Sequence, residues 1–103
     1  MNRLEHLMCI FREECSEVSQ EVSKAMRFGL FEQRDLPTSN AERINKEFND
    51  LLAMVEMLKD ESPPLRLGRN QEMIDAKKEK VEKYLIYSAE CGTLNPTDSK
   101  GEE

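Results

Sequence analysis

The chain has 103 residues, 21 of them acidic against 15 basic, for a formal charge of −6 and an acidic pI near 4.9. Without a basic run it is a poor match to nucleic-acid polymers. No apolar stretch approaches the roughly 18–20 residues of a membrane span, and the early charges of MNRLEHLMCIFREE do not suit a secretory signal. Cys9, Cys15 and Cys91 are odd in number and lack metal-ligand spacing, which favours a reducing cytoplasm over a disulfide framework or a zinc site. His6 is the single imidazole and sits near the start of the chain, so a catalytic triad is hard to assemble and carboxylates must carry much of any chemistry. With 38% hydrophobic residues the core is thin, which predicts that partner subunits complete it.

Glycine and proline divide the chain into three segments, about 2–28, 39–61 and 70–91, and each reads as a helix. In the first, Leu4, Leu7, Met8, Phe11, Cys15, Val18, Val22, Ala25 and Met26 recur at three- and four-residue steps, and Gly29 is placed as the C-cap. The second opens on Ser39-Asn-Ala-Glu42, a capping box, and offers Ile44, Phe48, Leu51, Leu52, Val55 and Leu58 as an apolar face. The third starts after Asn70 as N-cap, carries Ile74, Val81, Leu85 and Ser88 on one side, and stops before Gly92. The expectation is an all-α domain over 1–94, a bundle of three main helices completed by oligomerisation, followed by a polar flexible tail over 95–103.

At 100° per residue, Glu14, Glu17, Glu21, Lys24 and Phe28 form one stripe of about 80° beside the apolar face of the first helix. Glu47 and Asp50 repeat the arrangement on the second, with Arg43 and Met54 extending their stripe. Carboxylates at i and i+3 project side by side, so two such pairs on packed helices can meet at one site. Ionised and crowded together, they repel, and a divalent cation resolves the conflict. An all-oxygen set suits Mg²⁺, with Mn²⁺ the second choice, and no Glu-x-x-His motif supports a di-iron bundle. The plainer reading of each pair alone is a solvated helix face. On the third helix Lys77 projects into the apolar stripe, with Lys80 and Tyr84 on its flank. Either it snorkels to water or it meets the carboxylates or a phosphate.

The run Glu13 to Gly29, ending Lys-Ala-Met-Arg-Phe-Gly, resembles the first helix of MazG-like nucleoside triphosphate pyrophosphohydrolases, and Asn40 to Glu56 resembles their second. The family's Glu-x-x-Glu and Glu-x-x-Asp would be Glu14, Glu17, Glu47 and Asp50, with 29 residues between Glu17 and Glu47, at the long end for the family. The likeness spans about residues 10–60, and Asp75 to Tyr84 more loosely. It implies Mg²⁺-dependent cleavage of a nucleoside triphosphate to monophosphate and pyrophosphate, as housekeeping of the nucleotide pool. Those four acids would serve as metal ligands and catalytic groups, Glu14 or Glu17 orienting the water. Lys24, Arg27, Lys77, Lys80 and Tyr84 would hold the substrate's phosphates or the substrate itself, and the chain would assemble as a homodimer or homotetramer. The rival expectations are a non-enzymatic helical interaction module and a nucleotide-binding sensor.

Overall fold

The computed structural model describes residues 1–95; the expected tail beyond Asn95 lies outside the described residues. These form α1 (Arg3–Phe28), α2 (Asn40–Lys59) and α3 (Gln71–Glu90), with no strand among them. No helix is long and apolar enough to cross a membrane among the described residues. The chain divides into two compact units, Met1–Leu67 and Gly68–Glu103.

Each helix begins where a side chain supplies the acceptor that its first amides lack. Asn2 accepts from the Glu5 amide at 2.8 Å, and Asn70 from that of Met73 at 3.0 Å. Ser39 and Glu42 close the full capping box on α2. Gly29 ends α1 at φ 110°, a conformation that a Cβ would strain, while its amide donates to the Ala25 carbonyl.

Within the first unit α2 runs antiparallel to α1. Arg3 pairs with Glu61, Glu14 lies beside Asp50, and Glu21 pairs with Arg43, so the numbering rises on one helix as it falls on the other. The seam has an apolar end, where Leu7, Met54 and Leu58 are buried and Leu4, Ile10, Phe11 and Leu65 pack against them. Leu65 returns to this end by donating its amide to the Leu58 carbonyl at 3.1 Å.

The seam overlaps the face that hydrophobicity picks out without matching it: Leu7, Ala25 and Leu58 are buried as expected and Ile44, Leu51 and Val55 are half-buried, but other expected core residues are not. On α2 the residues turned to α1 are Asn40, Arg43, Glu47, Asp50, Met54 and Leu58, which recur at three- and four-residue steps. Met54, which the periodicity placed beside the acids, is therefore core, while the expected core residues Phe48 and Leu52 stay 47% and 42% exposed. On α1, likewise, Met8, Val22 and Met26 are exposed and Glu21 is buried. The physical reason is geometric: two helices share one narrow seam, and polar residues occupy its middle and far end.

In the second unit, α3 buries none of its residues. Met73, Val81, Tyr84, Ile86 and Tyr87 are exposed, and Lys77, expected within an apolar stripe, is exposed as well.

Candidate metal centre

Midway along the α1–α2 seam, Glu14, Glu47 and Asp50 each present a carboxylate oxygen, and the three oxygens lie within 4.8 Å of one another. All three residues are half-buried. Glu14 comes from α1, while Glu47 and Asp50 stand one turn apart on α2, so the i,i+3 spacing aims both at the same point. Glu17, the fourth acid of the pattern, is half-buried one turn along α1 and outside the three-oxygen set. Its charge still reaches Glu47.

Desolvation by the seam pushes the Glu47 carboxyl above its ordinary range, and repulsion from Asp50 and Glu17 adds to this, against the pull of Lys46. Lys46 answers the crowding: its Nζ donates to Asp50 at 2.7 Å and lies 3.8 Å from Glu47. The hydrogen bond to Asp50 and the attraction of Asp50, Glu47 and Glu14 push the Lys46 ammonium up. Lys46 is nonetheless 68% exposed, so its ion pairs are screened and weak. Sequence reasoning passed over it, although its i,i+4 spacing to Asp50 signals such a pair.

The donor set fits a hard divalent cation. Ligand oxygens on opposite sides of such an ion stand about 4 Å apart for Mg²⁺ and about 5 Å for Ca²⁺, so oxygens within 4.8 Å of one another need little movement to close on either. Glu14, Glu47 and Asp50 share the Lys46 ammonium, and a cation among them would ease the repulsion that Asp50 and Glu17 exert on Glu47.

Toward the α1–α2 turn the seam becomes an ion-pair network. Buried Glu21 stands 3.3 Å from Lys24 and 3.7 Å from Arg43. Arg43 donates to the Thr38 carbonyl and to the Asn40 side chain. Asn40, 1% exposed, donates to the Gly29 carbonyl at 2.8 Å and to Glu32 at 3.3 Å. Asn40 and Glu32 went unremarked in the sequence; Asn40 stands one residue after an N-cap and Glu32 in a turn, where no periodicity marks them. Among the expected substrate groups, Lys24 is tied to Glu21, and the Arg27 guanidinium sits 5.2 Å from the centre of the Phe28 ring. Lys77, Lys80 and Tyr84 lie on α3, exposed, and belong to the second unit.

Compared with protein-family models, curated proteins and solved structures, the chain matches none.

Proposed function

We propose that the protein is a Mg²⁺-dependent nucleotide pyrophosphohydrolase, cleaving a nucleoside triphosphate with one water into a monophosphate and pyrophosphate. One observation carries the reading: three carboxylate oxygens from two helices converge within 4.8 Å, on a seam where apolar side chains would stabilise the fold better. Acids gathered at a packing surface despite their mutual repulsion support the reading of a site kept for its chemistry. The resemblance of residues 10–60 to the MazG-like pattern supports the same choice of acids.

Mg²⁺ bound by Glu14, Glu47 and Asp50 would polarise phosphoryl oxygens and make a hydroxide-like nucleophile accessible near neutral pH. Glu17, beside the three-oxygen set, is the group assigned to orient the water and take its proton. Lys24 and Arg27, farther along α1, supply positive charge for the phosphates.

Assembly belongs to the same reading. Phe48 and Leu52 on α2, with Tyr84, Ile86 and Tyr87 on α3, leave apolar surface of the kind that homo-oligomers bury. A homodimer or homotetramer is the expected state, measured by sedimentation velocity.

A pyrophosphate-release screen over the common nucleoside triphosphates tests the activity. Release from at least one nucleotide with Mg²⁺, and at least a ~100-fold loss in Glu47→Gln and in Asp50→Asn, is the expected result. Turnover without Mg²⁺, or undiminished in both variants, would overturn the assignment.

A further inference from the structure

At the α1–α2 turn a cavity of about 220 Å³ opens between Lys24, Phe28, Glu32, Arg34, Leu36 and Arg43. It is smaller than the roughly 300–1,000 Å³ of sites for drug-sized ligands, and suits a single ring system. Its contents are unusual for a surface hollow. Glu32 Oε2 is shut off from solvent and accepts no hydrogen bond, although Oε1 of the same carboxylate receives the Asn40 amide. A buried acceptor without a donor is uncommon, because the desolvation it suffers is not returned.

The group beside that oxygen explains what it suits. Arg34 holds its guanidinium 4.8 Å from the centre of the Phe28 ring, with Nε 3.7 Å from Glu32 Oε2, too long for a hydrogen bond. A flat, N–H-bearing group therefore already lies against Phe28 and faces the carboxylate, but does not satisfy it. Arg34 is 67% exposed along its side chain and sits at φ 51°, a backbone conformation uncommon for a residue with a Cβ. A stack on Phe28 and a 3.7 Å ion pair hold it there, both weak at an exposed side chain.

We infer that this cavity receives a nucleobase bearing an exocyclic amino group, stacked on Phe28 in place of Arg34 and donating an amino N–H to Glu32 Oε2. Stacking on Phe28 is sequence-tolerant, since every base has a π-face, so the carboxylate supplies the selection. An amino N–H suits a carboxylate. The ring N–H of uracil or hypoxanthine is set back beside carbonyl oxygen, so the carboxylate meets more acceptor repulsion there than at an amino group that projects from the ring edge. The placement also suits the proposed activity, on which the inference rests: Lys24 lies seven residues beyond Glu17, about 10 Å along α1, and Arg43 one turn from Glu47 on α2. A nucleotide spanning that interval lays its phosphates toward the acids and its base at the turn.

Free nucleosides in metal-free buffer test the cavity without involving the acidic cluster. Titration of ¹⁵N-labelled full-length protein with adenosine, cytidine, inosine and uridine is expected to shift the Phe28, Glu32 and Arg34 amides. Adenosine or cytidine should bind at least ~10-fold more tightly than inosine or uridine. N6,N6-dimethyladenosine, which lacks the amino hydrogens, should lose that advantage. Glu32→Gln should cut the preference below ~3-fold, and Arg34→Ala should tighten adenosine binding severalfold by clearing the stack. Equal binding of adenosine and its dimethyl analogue, or no binding by wild type and Arg34→Ala alike, would overturn the inference. Pyrophosphate release in the face of that result would leave the hydrolase reading intact. Selective nucleoside binding without any release would uphold the cavity and defeat the hydrolase reading.

Discussion

In the first unit Leu7, Met54 and Leu58 are buried together, and Leu65 folds back over them; in the second, no residue of α3 is buried. Yet α2 and α3 have the same length, 20 residues, and both begin at a side-chain cap that accepts an amide. Capping and length therefore do not separate them. What separates them is the packing available within each unit. Within the first unit α2 has α1 to bury against, while α3 is the one described helix of its own unit. The comparison also shows how the first unit spends its partnership: one end of the seam is core, while its middle holds carboxylates that contribute little to cohesion.

The largest effect expected is at the apolar end. Leu58→Ala should lower the unfolding free energy by about 3–5 kcal/mol, with Leu85→Ala on α3 below about 1 kcal/mol in dilute protein. Urea titrations of both variants check this, and similar losses would erase the contrast between the units. Asn40→Ala should follow at about 2 kcal/mol, because it strips the Gly29 carbonyl of a donor and leaves Arg43 one partner short. Removing the caps sharpens the comparison further. Ser39→Ala should cost about 1 kcal/mol in the cooperative α1–α2 transition. Asn70→Ala should instead appear as faster amide hydrogen exchange in the first turn of α3, with that transition unmoved.

The smallest effect has the opposite sign. Glu47 has a folded pKa raised above its unfolded one, so the unfolded chain gives up its proton first as pH rises. Stability is thus lost from the unfolded carboxylate range upward through the raised folded value. At pH 7 without metal, Glu47→Gln should melt slightly above wild type; Mg²⁺ should then raise the melting temperature of wild type and not of the variant. A metal-free variant that melts lower would show that the charge is satisfied and that the site is an ordinary surface pair. Mg²⁺ binding itself should weaken as pH falls through the Glu47 range, since protons compete for the ligand.

The helices were legible in the sequence because their signals are local. Gly29, Ser39, Glu42 and Asn70 act within one turn, and each does what its type and position imply. The α2 acidic pair was legible for the same reason: i,i+3 spacing places Glu47 and Asp50 together whatever α2 packs against, whereas Glu17 of the α1 pair stands outside the three-oxygen set. The seam was not. Hydrophobicity ranked Phe48 and Leu52 above Met54, but which face of α2 meets α1 is settled by pairing between helices, and there Asn40, Arg43, Glu47 and Asp50 hold places that a pattern search gives to leucine. Glu32 and Arg34 were beyond reach for a further reason. Their meeting over Phe28 depends on the path of a turn, and turns carry no period.

The central claim is that Glu14, Glu47 and Asp50 form a divalent-cation site, and paramagnetic Mn²⁺ reports on it directly. Substoichiometric Mn²⁺ added to ¹⁵N-labelled protein should first broaden the amides around residues 14, 17, 47 and 50, and excess Mg²⁺ should restore them. Asp50→Asn should blunt the effect at all four. Broadening that starts instead at other acidic stretches, or that ignores Mg²⁺ and Asp50→Asn alike, would contradict the account.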